Sequence, residues 1–194
     1  TVNAPVSTAS NNGPYCFGST INLASTGGGT YAWSGPGGFT STSSNPIIAN
    51  AQASNSGVYT DTVTAGSCTS TATTSVVVNS SLTPGTNANG PLCDGSALNL
   101  TCSNGSSWSW TGPNGFTSSS QNPVINPATP AASGVYSVTV QDASGCTGNG
   151  TLTVTVNPNP VVTSSATPTT ICAGDTAILN AGGASTYSWS AGTV

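Results

Sequence analysis

The chain has 194 residues, a formal net charge of −4 at pH 7, and no Lys, Arg or His. Without cationic side chains it cannot neutralise nucleic-acid phosphates or be drawn to anionic lipid, so nucleic-acid binding is not expected. No apolar stretch approaches the ~20 residues of a membrane-spanning helix, so we expect no membrane insertion.

Catalytic and metal-binding chemistry lacks its usual residues. Without His or Lys, a Ser or Cys nucleophile has no ordinary general base. A carboxylate pair could act as acid and base, but Asp61, Asp94, Asp142 and Asp175 occupy non-equivalent places in the sequence. Asp142 could join backbone carbonyls in a calcium loop, although a simple turn residue is the plainer interpretation. We predict no enzyme activity, no cofactor and no metal site.

The hydrophobic pattern predicts short β-strands. Apolar residues alternate with hydroxyl or amide residues in segments 19–25, 135–140 and 151–156. A period of two is typical of half-buried strands, and clusters of Gly, Pro, Asn and Ser interrupt each one. Short, regularly spaced strands favour an all-β sandwich or barrel.

The chain also repeats. A Cys-x-Gly segment recurs at Cys16, Cys93 and Cys172, and a Trp follows each of these cysteines seventeen residues later. The first two repeats then share a Gly-Pro-x-Gly-Phe turn, an Asn-Pro pair, Ser-Gly-Val-Tyr and a late Cys. Offsets of 77 and 79 residues suit small self-contained modules better than solenoid units. We predict modules over residues 1–79 and 80–157, and an incomplete module over 158–194.

The aromatic residues indicate immunoglobulin-like sandwiches. Such a module buries a Trp on its third strand and has a tyrosine corner late in the chain. The predicted core aromatic residues are Trp33, Trp110, Trp189, Tyr59 and Tyr136. The predicted fold class is therefore all-β, with tandem immunoglobulin-like β-sandwich modules.

The full motif series is C-x-G-x(4)-L, Y-x-W-S-G-P-x-G-F, N-P, S-G-x-Y and a late C-T. It resembles the Ig-like and PKD-like modules of large Bacteroidetes surface proteins, including gliding adhesins and cargo of the type IX secretion system. The resemblance covers nearly the whole chain. It implies an exported, extracellular cell-surface protein whose partners are further Ig-like repeats of the same chain or neighbouring fibre subunits.

The repeat alignment predicts that each complete module is closed by one disulfide, Cys16–Cys68 and Cys93–Cys146. Such pairing suits an oxidising extracellular setting. Cys102 aligns with Ser25 on an inward-facing strand position, so we expect a buried, unreactive thiol. Cys172 has no partner at the aligned position within the sequence and is predicted to be unpaired.

Two threonines are candidate O-glycosylation sites. Thr62 and Thr176 each follow an Asp and precede an apolar residue, which resembles the O-glycan acceptor pattern of Bacteroidetes. Both are expected on outward strand positions, where glycans would protect strand edges that have little charge. Unmodified strand threonines are the plainer alternative, and an intact mass equal to that of the bare polypeptide would exclude glycosylation.

Two further polar features are ambiguous. Asp61 aligns with Val138 and so falls on an inward strand position, where a carboxylate without a cation is costly. An exposed edge strand or a bulge is the expected explanation, ahead of a proton or ion site. Thr151, Thr153 and Thr155 could form an adhesive or ice-facing ladder, or simply reflect β-propensity on a solvent face.

The sequence leaves two functions open. The first is a structural spacer or fibre segment, favoured by the repeats and the neutral surface. The second is a carbohydrate- or surface-binding module using loop aromatics such as Phe39, Phe116 and Trp108, although the recurrence of the Phe favours packing. We expect that residues 158–194 are not an independent domain, and that either further sequence or a neighbouring subunit supplies the missing strands.

Overall fold

The computed structural model describes residues 5–190. These residues form two β-sandwiches, followed by a two-stranded antiparallel sheet. The fold is all-β and immunoglobulin-like, which confirms the predicted fold class. The expected alternation appears directly in β3 (Ile21–Thr26), where Ile21, Leu23 and Ser25 are buried and the residues between them face outward.

Sandwich 1 contains β1 to β9. One sheet has the strand order β1-β3-β6 and the other β5-β4-β7-β8, and β2 pairs in parallel with β9. The remaining bounds are β1 (Thr8–Asn11), β2 (Tyr15–Cys16), β4 (Thr30–Gly35), β5 (Phe39–Ser41), β6 (Ile47–Ile48), β7 (Gly57–Ala65), β8 (Cys68–Val76) and β9 (Val78–Asn79). Short 3₁₀ turns lie at Pro36–Gly38 and Ala53–Asn55.

Sandwich 2 repeats this arrangement. Its sheets have the orders β10-β12-β15 and β14-β13-β16-β17, with β11 parallel to β18. The bounds are β10 (Thr86–Ala88), β11 (Leu92–Cys93), β12 (Leu98–Cys102), β13 (Ser107–Thr111), β14 (Thr117–Ser118), β15 (Val124–Ile125), β16 (Gly134–Gln141), β17 (Thr147–Val154) and β18 (Val156–Asn157). Its 3₁₀ turns are Pro113–Gly115 and Pro130–Ala132.

Each sandwich has its own core around a Trp and a Tyr. Trp33 and Trp110 are 2% and 1% exposed, and Tyr59 and Tyr136 are fully buried. The Tyr59 hydroxyl donates to the Asn55 carbonyl at 3.0 Å, and the Tyr136 hydroxyl donates to the Ala132 carbonyl at 2.9 Å. Each tyrosine therefore fastens its strand to the preceding 3₁₀ turn, as in a tyrosine corner. Burial also raises the pKa of both phenols.

The last part of the described chain has no sandwich core. In it, β19 (Thr163–Thr167) pairs antiparallel with β20 (Ile178–Gly182), and no residue from 158 to 190 is buried. Trp189 is 52% exposed, so its predicted role as a core residue is wrong within the described residues. The physical reason is that one strand pair has no second sheet to pack against. Thr176 lies in the loop before β20 rather than on a strand.

Asp61 is buried on an inner strand, which corrects the expected edge or bulge. It lies on β7, between β4 and β8, and is 0% exposed. The Ser25 hydroxyl donates to one carboxylate oxygen, and the Ala32 N–H donates to the other at 3.2 Å. These donors offset part of the cost of removing the carboxylate from water. Sandwich 2 has Cys102 and Val138 at the corresponding positions.

The hydrogen bond between these two side chains, which sandwich 2 lacks, predicts that Ser25 and Asp61 are energetically coupled. Ser25→Ala should destabilise sandwich 1 by about 1–3 kcal/mol, because the buried carboxylate loses a donor. In an Asp61→Val background the same change should cost much less, because no carboxylate then needs the hydroxyl. Urea unfolding, followed by amide hydrogen exchange of β4 and β7, would measure both costs. Equal costs of Ser25→Ala in the two backgrounds would contradict the coupling.

Candidate functional site

A disulfide between the two sandwiches is the site with the most distinctive chemistry. Cys16 of sandwich 1 is bonded to Cys146 of sandwich 2 across 130 residues of sequence, with the Cα atoms 5.5 Å apart. The six residues 80–85 also connect the sandwiches, between β9 and β10. Two covalent connections therefore meet at this boundary, which we call the junction.

Strand β2 holds Cys16 at the junction. In the parallel pairing of β2 with β9, Cys16 lies opposite Asn79, the last residue of sandwich 1 before the linker. The Phe17 N–H donates to the Asn79 carbonyl at 3.0 Å, and the Gly18 N–H donates to the Ala51 carbonyl at 2.8 Å. These backbone bonds fix the position of the thiol where the chain leaves the sandwich.

Cys146 approaches from the turn that joins β16 to β17. Asp142 organises this turn, because its carboxylate accepts from the Ser144 N–H at 2.8 Å and the Cys146 N–H at 2.9 Å. Gly145 has a φ of +85°, which a glycine adopts without strain. Asp142 therefore acts as a turn residue that positions Cys146. Residues 5–190 contain no cluster of three or more His, Cys, Asp or Glu suited to a metal ion.

The predicted pairings Cys16–Cys68 and Cys93–Cys146 are corrected by this bond. Cys68 begins β8 and precedes Asn79 by eleven residues, which spans roughly 35 Å of extended strand. Because Cys16 lies beside Asn79, the two cysteines occupy opposite ends of sandwich 1. A disulfide needs Cα atoms within about 7 Å. Sandwich 2 has the same geometry, since Cys93 pairs with Asn157 and Cys146 precedes it by eleven residues.

The error came from strand direction. A disulfide within each module requires the early and the late cysteine to lie at the same end of the sandwich. In the structure β2 runs parallel to β9, so the strand that follows β2 starts at the end of the sandwich where β8 and β9 finish. The same direction places Cys16 close to the neighbouring sandwich.

The other four cysteines are free thiols in different surroundings. Cys93 and Cys172 are exposed and Cys68 is half-buried, whereas Cys102 is buried. Burial raises the pKa of the Cys102 thiol, which lowers its thiolate fraction and hence its reactivity. This placement matches the expected environment of Cys102.

The aromatic residues considered for glycan binding make packing contacts. The Phe39 ring meets Tyr59 edge-on at 5.4 Å, and the Phe116 ring meets Tyr136 at 5.5 Å. Trp108 packs against the core of sandwich 2, and its indole N–H donates to the Asn104 carbonyl at 3.1 Å. All three side chains are partly buried by these contacts.

Hydroxyl groups cover the outer face of the last long strands. Thr151, Thr153 and Thr155 are exposed on or just after β17. Thr62 is half-buried on β7, opposite the exposed Thr71 of β8. A surface groove between β10 and β17 is lined by Thr, Asn, Gly, Pro and small apolar residues, with no Asp or Cys. These features provide a neutral polar surface.

Thiol labelling provides a prediction for this part of the molecule. In the native oxidised protein, a small alkylating reagent should modify Cys93 and Cys172 rapidly and Cys102 at least tenfold more slowly, because only Cys102 is buried with a raised pKa. Mass spectrometry of the labelled peptides would measure each rate, and urea-unfolded protein provides the control. Native labelling of Cys102 as fast as that of Cys93 would contradict the structure.

Comparisons with known proteins assign the chain to no family. No family model and no curated protein matches the sequence. Similar solved structures include murine CEACAM1b (14% identity, 78% of this chain and 100% of that chain, TM-score 0.42). The first three domains of the bacteriophage RB49 outer capsid protein Hoc show 16% identity, with 92% and 69% coverage and a TM-score of 0.43. Drosophila OTK extracellular domains 3–5 show 15% identity, with 81% and 61% coverage and a TM-score of 0.45. Among residues 5–190, no helix has the length and apolarity to cross a membrane.

Proposed function

We propose that the chain is a structural spacer segment of an extracellular cell-surface adhesin or fibre, made of immunoglobulin-like modules over residues 1–79 and 80–157 and the incomplete N-terminal part of a third over 158–194. The proposal depends on one observation: the only disulfide among the described residues joins two consecutive sandwiches rather than closing either of them. Each sandwich already has a separate core. The bond therefore acts mainly on the relation between the units.

A spacer has to keep its units in a fixed relation, and the junction has the parts for this. The backbone that leaves β9 and reaches Leu82, which packs against the core of sandwich 2, is by itself a single connection about which the sandwiches could turn. The Cys16–Cys146 bond adds a second connection, held on one side by the β2–β9 pairing and on the other by the Asp142 turn. Two connections at different points of one boundary restrict bending and twisting together.

An extracellular location belongs to the proposal. Disulfides persist in oxidising compartments and are rare in the cytosol. Membership of the Bacteroidetes surface proteins and export by a type IX system rest on the motif resemblance alone. Glycans at Thr62 and Thr176 would add bulk to a surface with little charge, and Thr176 is the more exposed of the two.

No catalytic role is proposed. The carbohydrate-binding alternative is less well supported, because Phe39, Phe116 and Trp108 are engaged in packing. The expected partners are further immunoglobulin-like repeats or neighbouring fibre subunits. A glycan or surface ligand would have to use other residues.

Removing the junction bond tests the spacer function. In a Cys16→Ser, Cys146→Ser variant, the distribution of distances between the sandwiches should broaden, while each sandwich stays folded on its own core. Double electron–electron resonance would measure this between nitroxides attached to cysteines introduced by Ser10→Cys and Ser109→Cys. In every sample Cys68, Cys93 and Cys172 are replaced by Ser, so that they do not take up the label. The same labelled chain with Cys16 and Cys146 intact is the matched control.

Two results would count against the proposal. If the distance distribution is equally broad with and without the bond, the disulfide does not fix the junction. The Cys16–Cys146 bond then no longer supports the spacer role. Specific binding on a glycan array, lost in Phe116→Ala but kept in a matched exposed variant such as Thr117→Ala, would favour the binding function instead.

A further inference from the structure

Cys93 occupies the same backbone frame in sandwich 2 that Cys16 occupies in sandwich 1. It lies opposite Asn157 in the parallel β11–β18 pair, as Cys16 lies opposite Asn79. The Asp94 N–H donates to the Asn157 carbonyl at 2.8 Å, which reproduces the 3.0 Å bond from Phe17 to Asn79. Yet Cys93 is a free and exposed thiol. Cys93 is therefore the equivalent of Cys16 in sandwich 2, and we call such an unpaired equivalent of a junction cysteine an open half.

Cys68 is the corresponding copy of the other half. It begins β8 directly after a hairpin turn, as Cys146 precedes β17 at the same end of sandwich 2. The turn before Cys68 is one residue shorter, since Cys68 follows Tyr59 by nine residues and Cys146 follows Tyr136 by ten. Cys68 is also free and only half-buried. The two open halves lie at opposite ends of the pair of sandwiches.

We propose that the chain joins head to tail with further copies of itself through a disulfide between Cys93 of one copy and Cys68 of the next. This inference rests on the proposed spacer function and extends it, because it repeats between molecules the bond that Cys16 and Cys146 make within one. Such a contact uses two different surfaces, so each linked pair leaves one open half at each end. Association of this kind gives linear fibres unless a ring closes.

The bond requires an oxidant, for which a disulfide such as oxidised glutathione is sufficient. The thiolate of one cysteine attacks oxidised glutathione, forming a mixed disulfide and releasing one glutathione thiolate. The second protein thiolate then displaces the other glutathione. Two protein thiols lose two protons and two electrons, and one oxidised glutathione becomes two reduced molecules.

Residues 158–190 leave Cys93 exposed. They follow sandwich 2 at the end that carries Cys93, and the Asn159 side-chain amide donates to the Asp94 carbonyl at 3.1 Å. However, none of these residues is buried, and Cys93 remains exposed beside them. In the closed junction Cys146 is only 3% exposed and Cys16 is half-buried. Forming the second junction would therefore cover thiols that are now open to solvent.

A mixing experiment tests the linkage with the full chain. Two variants are prepared on a Cys172→Ser background, one with Cys68→Ser and one with Cys93→Ser, so that each retains one open half. In a buffer of oxidised and reduced glutathione, each variant alone should stay monomeric on non-reducing gels. The mixture should give a one-to-one heterodimer whose digest contains a Cys68–Cys93 peptide, and the Cys172→Ser parent should give a ladder.

Three results would overturn the proposal. They are a mixture that stays monomeric, a dimer of either variant alone through identical cysteines, and a heterodimer linked through any other pair. Because Cys16 and Cys146 are intact in all these variants, a negative result leaves the spacer function untouched. A failure of the distance measurement on the internal junction would be a separate outcome.

Discussion

The parallel pairing of β2 with β9 is the constraint on which the rest of the structure depends. It is only two residues long, yet it places Cys16 beside Asn79, where the chain leaves sandwich 1. A cysteine at that point lies too far from Cys68 to close its own sandwich but within reach of the next one. The disulfide therefore links two modules instead of stabilising the core of one.

The absence of cations shapes the interior and the surface in related ways. Asp61 has no Lys or Arg to pair with, so Ser25 and a backbone N–H serve it instead. At the same place sandwich 2 has only the apolar Val138 and the weakly polar Cys102, which shows that the fold requires matched partners there rather than a charge. On the surface, threonine hydroxyls along the outer strands replace the charges that usually protect a sheet. Stability in such a chain comes from apolar burial and neutral hydrogen bonds.

The sequence predicted local and repeated features well. The spacing of Trp33 and Tyr59, copied at Trp110 and Tyr136, identified the fold, because those aromatics pack within one sandwich and obey strand periodicity. The connectivity of the cysteines could not be obtained in this way. Alignment shows which residues are equivalent, whereas a bond between non-equivalent residues of adjacent repeats depends on strand direction and on which ends meet. Asp61 was misjudged for a similar reason: its donors Ser25 and Ala32 come from β3 and β4, which are distant in sequence.

Disulfide mapping of the oxidised protein tests the central claim most directly. Proteolysis without reduction, followed by tandem mass spectrometry, would identify the cross-linked peptides of the monomer. Cleavage sites for chymotrypsin at Tyr15, Phe17, Tyr136 and Leu152 bracket the two cysteines of the junction closely enough to assign them. The account predicts a peptide joining Cys16 to Cys146, with Cys68 and Cys93 recovered as thiols. Peptides joining Cys16 to Cys68 and Cys93 to Cys146 would contradict it and would restore two separately closed modules.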